Sequence, residues 1–134
     1  MCWYTCLAMV VNYYRALGLG GRLIHPSEDP ETDHMYRNNQ GIIDRERIAR
    51  KLGFAVHYQS LTDSAMWAML NRGPVIYAGR WPGQTDGHWV VINGISGSKV
   101  SILDPLYGPQ TMDYGTFMST VLLQTAERPL IHVF

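Results

Sequence analysis

The sequence lacks net charge, a long apolar segment and a dense set of cysteines, and each absence excludes a class of protein. Its 11 basic and 11 acidic residues give a formal net charge of zero, which argues against binding nucleic acid by bulk electrostatic attraction. The longest apolar run is far shorter than the ~20 residues of a membrane-spanning helix, and no secretory signal pattern is recognisable. We therefore expect no nucleic-acid partner and no membrane insertion.

Length and composition favour one globular domain. The chain has 134 residues, of which 46% are hydrophobic and 16% charged, enough to bury a core without disulfide staples.

Its two cysteines, Cys2 and Cys6, fall four residues apart on a predicted helix. Helical neighbours at that spacing have Cβ atoms about 5–6 Å apart, too far for an unstrained disulfide. Both thiols should be free, which suits a reducing compartment.

Hydrophobic periodicity predicts helices first and most strands after residue 74. The helices are expected over residues 3–17, 43–52, 63–71 and 114–123, and the strands over 54–58, 75–78, 88–95, 99–103, 108–113 and 129–134. Residues 18–41 lack periodicity and are predicted to form an irregular loop. This order indicates an α+β fold over residues 1–134, with the first helix packed on a bent, mainly antiparallel sheet.

Cys2 is the candidate nucleophile because it lies at the start of the first predicted helix. The unpaired N–H groups and dipole of a helix N-terminus lower the pKa of a thiol and favour the reactive thiolate. A buried structural role is the alternative for any free cysteine. Cys6 lies one turn further into the helix, without free N–H donors, and is predicted to be a core residue.

His88 and Asp104 are the candidate base and its orienting acid. His88 follows Gly87 at the start of a strand, and Asp104 ends the next strand. If these strands turn at Ser96-Gly97, the two residues become cross-strand neighbours with Cβ atoms about 4.5–5.5 Å apart. The carboxylate could then fix the imidazole tautomer and leave the other ring nitrogen for the thiol. Asp104-Pro105 is also typical of a turn, and both roles are compatible.

Several segments resemble a known family. The segment CWYTCLAMVVNYY resembles the nucleophile helix of bacterial papain-like cysteine peptidases, in which Cys-Trp begins the helix. The segments GPVIYAG, GHWVVINGI and SKVSILDPLYG resemble the second half of bacteriocin-processing double-glycine peptidases and their relatives, among them papain-like effector proteases that bacteria inject into other cells. The resemblance implies a papain-like fold and peptide-bond cleavage without a cofactor or metal. It implies that Cys2 is the nucleophile, His88 the base and Asp104 the orienting acid.

The resemblance also implies a protein or peptide substrate, with cleavage after small residues such as Gly-Gly. A narrow cleft walled by aromatic residues would give that preference, and Trp3, Trp81 and Trp89 are the candidate walls. The backbone N–H of Cys2 could supply one oxyanion donor. The glutamine that papain-like enzymes carry before the nucleophile is missing, because only Met1 precedes Cys2. Gln84 and Asn93 are the other amides near His88.

Other functions remain open on this fold. Papain-like folds also host deamidases and acyltransferases, which form the same thioester. A module of a different class would bind Zn²⁺ through Cys2, Cys6, His88 and Asp104, although this cysteine spacing is not that of a zinc knuckle. A catalytically inactive binding module is a further alternative.

The leading hypothesis places this domain in a secreted or injected bacterial toxin that acts in the cytoplasm of a target cell. The sequence begins beside the candidate nucleophile, so we expect a domain taken from a longer protein. A free-thiol protease endangers the cell that makes it. We therefore expect a separate inhibitor, such as a cognate immunity protein, to cover Cys2, His88 and the nearby tryptophans.

Overall fold

The computed structural model describes residues 2–42, 44–59, 63–79, 88–121 and 128–133, which form helices around one six-stranded sheet. In chain order the elements are α1 (Cys2–Ala16), a 3-10 turn (Pro26–Glu28), α2 (Pro30–Arg37), α3 (Arg45–Lys51), β1 (Ala55–Gln59), α4 (Asp63–Leu70), β2 (Val75–Gly79), β3 (His88–Ser96), β4 (Lys99–Asp104), β5 (Gly108–Asp113), α5 (Tyr114–Val121) and β6 (Arg128–His132). These elements confirm the predicted α+β class.

The strands lie in the order β1-β6-β2-β3-β4-β5, and every neighbouring pair is antiparallel. The last strand, β6, inserts between β1 and β2, so the end of the chain joins the first strand to the rest of the sheet. Ser96 pairs with Lys99, which leaves Gly97 and Ser98 as the β3–β4 turn. Gly97 has a φ of 60°, a left-handed conformation that favours glycine.

The central strands are buried on both faces. Along β2, Ile76 and Ala78 join one hydrophobic cluster, whereas Val75 and Tyr77 join the other. Because successive side chains point to opposite sides of a strand, these clusters lie on the two faces of the sheet. Residues of α1, α2 and α3 complete the first cluster, and residues of α4 and α5 complete the second.

Helix α1 is fixed on the sheet by its apolar face. Leu7, Val10 and Val11 are almost fully buried, and the helix packs on β2 and β3. Burial of each such side chain contributes about 1.5–3 kcal/mol to folding. This packing holds the first turn of α1 against the start of β3.

The predicted irregular loop over residues 18–41 is wrong in its second half, which contains the 3-10 turn and α2. Asp29 caps α2 by accepting a hydrogen bond from the backbone N–H of Thr32 at 3.0 Å. Pro30 occupies the first turn, where its missing N–H costs nothing. Only Thr32 and Met35 of this helix are buried, and two buried positions are too few to produce a recognisable helical pattern in the sequence.

Ion pairs and an aromatic stack hold α2 against its neighbours. Tyr36 stacks on Tyr4 of α1 with ring centroids 3.9 Å apart. Glu31 accepts two hydrogen bonds from the Arg47 guanidinium, both at 2.8 Å, and a third from Lys51 at 3.0 Å. Tertiary contacts with α1 and α3 therefore stabilise a helix that is too short to be stable alone.

Among the described residues, no helix combines the length and the apolar character needed to cross a membrane.

Candidate active site

Helix α1 begins at Cys2 and presents its thiol to the start of β3. The side chain is half-buried, and its sulfur accepts a hydrogen bond from the backbone N–H of Trp89, with an N···S distance of 3.4 Å. The interaction with the neighbouring His88 side chain lowers the pKa of the thiol. Two residues at the start of one strand therefore contact the sulfur.

The buried His88 ring connects Cys2 to Asp104. Its Nε2 lies 2.9 Å from Oδ1 and 3.0 Å from Oδ2 of Asp104. Because the carboxylate engages Nε2, Nδ1 is the ring nitrogen left for the Cys2 thiol. The structure thus places the three residues of the predicted triad next to one another, with His88 hydrogen-bonded to Asp104 and lining the same cleft as Cys2.

Asp104 also organises the turn that follows β4. Its Oδ1 accepts hydrogen bonds from the backbone N–H groups of Leu106 at 2.8 Å and Tyr107 at 3.2 Å. The carboxylate therefore accepts hydrogen bonds from the turn and also contacts the His88 ring, so the geometry is compatible with both roles predicted for Asp104-Pro105.

The electrostatics of the pair favour a thiolate beside an imidazolium. Burial alone raises the pKa of Cys2, but hydrogen bonds from His88 and the Trp89 backbone outweigh it, and the net pKa is lowered. Burial alone lowers the pKa of His88, but its bonds to Cys2 and Asp104 outweigh that effect, and the net pKa is raised. Each shift therefore favours the charged form of its group.

The predicted direct pairing of His88 with Asp104 across the hairpin is wrong. Leu103 pairs with Val91, so continuing this register places Asp104 opposite Val90, two residues from His88. The difference arises because the turn falls at Gly97-Ser98 and not at Ser96-Gly97, and the register shift between Ile92 and Gly94 recovers only one position. The side chains still meet because diagonal neighbours remain within reach of long side chains.

Cys6 is a core residue in the structure. It is fully buried in the cluster beneath α1, and burial raises its pKa well above the ordinary value. Among the described residues, no group of three or more histidine, cysteine, aspartate or glutamate side chains is arranged to hold a metal ion.

The predicted aromatic walls need correction. Trp3 and Trp89 are each only 4% exposed and belong to the hydrophobic cluster beneath α1, so they support the site from within. Trp81 and Gln84 lie outside the described residues. Asn93 is exposed on β3 and lines a different cavity.

A cleft of about 260 Å³ opens beside the predicted triad and is lined by Cys2, His88, Thr5, Pro105 and Leu106. The sequence reasoning missed the last three as lining residues. Thr5 follows Cys2 by one helical turn and shares its face, and Leu106 is carried by the turn that Asp104 caps. For Thr5 and Leu106, the signal available in the sequence was their spacing from Cys2 and Asp104.

A half-buried cysteine at a helix start lies beside a histidine that is hydrogen-bonded to an aspartate, which is the arrangement that the sequence predicts for a papain-like cysteine peptidase. The chain belongs to the family described as papain-like cysteine protease AvrRpt2, whose model matches residues 1–120. No curated protein matches the sequence at a significant level.

Solved structures show the same fold at low sequence identity. The peptidase domain of Streptococcus ComA, a bifunctional ABC transporter of a quorum-sensing pathway, superposes with a TM-score of 0.61 at 20% identity, covering 98% of this chain and 90% of that domain. A double-glycine motif protease from an AMS/PCAT transporter, solved with its leader peptide, gives a TM-score of 0.59 at 19% identity, covering 98% and 83% of the two chains. The chain is therefore a papain-like cysteine peptidase by family and fold.

Proposed function

We propose that this peptidase hydrolyses peptide bonds through a Cys2–His88–Asp104 triad. The observation that carries the proposal is the His88 ring, which is hydrogen-bonded to the Asp104 carboxylate at 2.9 Å and lines the same cleft as the Cys2 thiol. The opposite pKa shifts of Cys2 and His88 support a preformed thiolate–imidazolium pair. Such a pair supplies both the nucleophile and the general acid that acyl transfer requires.

In the first half-reaction, the Cys2 thiolate attacks the carbonyl carbon of the scissile bond and forms a tetrahedral intermediate. Collapse of this intermediate breaks the C–N bond, and the His88 imidazolium gives its proton to the leaving amine. The acyl group remains on Cys2 as a thioester. The backbone N–H of Cys2 is one donor available to the oxyanion.

In the second half-reaction, neutral His88 takes a proton from water, and the resulting hydroxide equivalent attacks the thioester carbonyl. The C–S bond breaks, the carboxylic acid product leaves, and Cys2 returns as a thiolate beside protonated His88. Asp104 keeps Nε2 protonated throughout, so that Nδ1 exchanges the proton.

A preference for small residues, such as Gly-Gly, at the cleavage site is part of the proposal. The solved relative from an AMS/PCAT transporter is a double-glycine motif protease bound to a leader peptide. In this chain Thr5, Pro105 and Leu106 border the thiol in a small cleft, and a residue with little or no side chain lets the carbonyl carbon approach the sulfur.

The proposal is tested by incubating the protein with a bacterial cell lysate and labelling new peptide N-termini for mass spectrometry. The wild type should create new N-termini that are absent with Cys2→Ala and Cys2→Ser, while both variants keep the wild-type melting temperature. The Cys6→Ala variant is the matched control and should retain the cleavages. Mass-shifted but uncleaved proteins that depend on Cys2 would instead identify a deamidase or acyltransferase, and Cys2-independent cleavage would refute the triad.

We further propose that the domain is the toxic part of a secreted or injected bacterial effector, active in a target-cell cytoplasm and restrained by a separate inhibitor. Both cysteines are free, which suits a reducing compartment, and the family resemblance includes injected proteases. The inhibitor should cover the cleft at Cys2 and Leu106 through an interface of roughly 1,200–2,000 Å².

Expression in a bacterial cytoplasm tests this role. The wild type should arrest growth, Cys2→Ala should not, and co-expression of a neighbouring gene product that binds the domain should restore growth. Harmless expression of a protein that is active in the lysate assay would contradict the toxin role and leave the peptidase proposal standing.

A further inference from the structure

Two histidines outside the candidate active site face each other across the β1–β6 pair. Nδ1 of His57 lies 2.9 Å from Nε2 of His132, and the ring centroids are 4.6 Å apart at an interplanar angle of 52°. In the strand register His57 lies opposite Leu130, and His132 lies opposite Ala55, so the two rings are diagonal neighbours on one face of the sheet. Three strands separate β1 from β4, which ends at the candidate site.

The two rings differ in exposure. His132 is 1% exposed and belongs to the strand that lies between β1 and the rest of the sheet. His57 is exposed on the edge strand β1. The fold therefore holds one ring in place, whereas the other ring can move and gives a small ion a route from solvent to the facing nitrogens.

The facing nitrogens have the spacing of two ligands on one metal ion. Because metal–imidazole bonds are about 2.0–2.1 Å long, two such ligands lie about 2.9 Å apart at a right angle and about 3.3 Å apart at the tetrahedral angle. The observed 2.9 Å matches the right angle, which is typical of Cu²⁺ and Ni²⁺. A shift of the exposed His57 ring by about 0.4 Å would reach the tetrahedral spacing that Zn²⁺ prefers.

We propose that His57 and His132 form a two-histidine site for a divalent transition-metal ion of the Ni²⁺, Cu²⁺ or Zn²⁺ class, with water completing the coordination. Imidazole nitrogen is a preferred ligand of all three ions. Both rings stay neutral on binding. The ring that donates the hydrogen bond transfers that proton through solvent to its other nitrogen, and each facing nitrogen then offers a lone pair to the ion.

A metal ion at this site would tie the edge strand to its neighbour. An ion that binds the folded chain and not the unfolded chain stabilises the fold by mass action. The expected consequence is a metal-dependent rise in melting temperature. The proposal is independent of the proposed peptidase function, because the cleft at Cys2 is built from other residues.

The test measures melting temperature and calorimetric binding with NiCl₂ and, separately, with ZnCl₂. Cys2→Ser is the starting protein, because the Cys2 thiol beside His88 would itself attract these ions. In that protein, His57→Gln removes the exposed ligand. His34→Gln is the matched control, because His34 is also exposed and lies on α2. Melting curves in EDTA verify that all variants fold.

The starting protein should bind one ion and melt about 3–5 °C higher than in EDTA when the ion is present at several times its dissociation constant. His34→Gln should keep this shift, and His57→Gln should lose it. A second measurement needs no histidine variant. The electron paramagnetic resonance spectrum of the starting protein with one equivalent of CuCl₂ should show two equatorial imidazole nitrogens.

Three results would overturn the site: no binding of either ion, a shift of equal size in His57→Gln and His34→Gln, or a Cu²⁺ spectrum with fewer than two imidazole nitrogens. The second result would identify an adventitious ion bound elsewhere. Cleavage in the lysate assay does not enter any of these measurements, so the failure of one proposal is distinguishable from the failure of the other.

Discussion

Asp104 holds both the candidate base and a turn, and two substitutions should separate these roles. Its Oδ1 accepts from the N–H groups of Leu106 and Tyr107, while Oδ1 and Oδ2 both lie within 3.0 Å of His88 Nε2. Asp104→Ala removes every acceptor. The buried Nε2–H of His88 would then lack a partner, which costs about 1–3 kcal/mol. Each lost hydrogen bond in the turn would cost up to about 1 kcal/mol, because both N–H donors belong to exposed residues that water can reach.

We therefore expect Asp104→Ala to lower the free energy of unfolding by about 2–4 kcal/mol. Asp104→Asn should cost much less, because its carbonyl oxygen can keep the turn contacts at Oδ1. Its amide would then replace Oδ2 and present a donor to Nε2, which favours the ring tautomer protonated at Nδ1 in competition with the acceptor that Oδ1 still offers. That tautomer points Nδ1–H at the thiol and cannot accept its proton.

For Asp104→Asn we expect a nearly unchanged free energy of unfolding and a rate of peptide hydrolysis about ten- to a hundredfold lower than that of the wild type. Removal of a general acid–base group causes a larger loss, of about 10²–10⁴-fold. Urea unfolding and initial-rate assays on the same preparations measure both quantities. Equal stabilities for Asp104→Ala and the wild type, or full activity in Asp104→Asn, would refute the two assigned roles.

Three further predictions follow from the charges and burial of the described residues. His88→Ala should lower hydrolysis about 10²–10⁴-fold with little loss of stability, and a loss below tenfold would contradict its role as base. Iodoacetamide should modify Cys2 much faster than Cys6, because the pKa of Cys2 is lowered and burial raises that of Cys6; peptide mapping that finds Cys6 first would reverse the assignment. Hydrogen bonds from Arg47 and Lys51 lower the pKa of Glu31 from 4.5 to about 2, so its contribution to stability is present above pH 4.5 and lost as the pH falls towards 2. The melting temperature of Glu31→Gln should accordingly lie slightly below that of the wild type at pH 7 and converge with it near pH 2, and a constant difference would exclude the ion pairs as its cause.

The sequence contained enough information to find the fold class and the elements that carry the candidate site. The helix that begins beside Cys2 and the strands that end at Asp104 have strong hydrophobic patterns, because their burial on the sheet is extensive. The spacing of the Gly-His and Asp-Pro pairs was sufficient to place His88 and Asp104 on neighbouring strands.

Features that depend on tertiary contacts were missed. The stack of Tyr36 on Tyr4 and the ion pairs of Glu31 stabilise α2, and no local pattern reveals such partners. The hairpin register changes at Ile92/Gly94, which alternation alone does not predict. Trp3 and Trp89 were recognised as aromatic residues near the site, but composition does not distinguish a cleft wall from the core behind it.

The most direct test of the central claim is the pH dependence of iodoacetamide alkylation at Cys2, compared between the wild type and His88→Ala. In the wild type, alkylation should follow a thiol pKa below the ordinary 9.0, because hydrogen bonds from His88 and Trp89 outweigh the effect of burial. In His88→Ala the largest contact that lowers the pKa is lost while burial remains, so the apparent pKa of Cys2 should move upwards. Superimposable pH profiles for the two proteins would show that His88 does not activate Cys2 and would contradict the proposed triad.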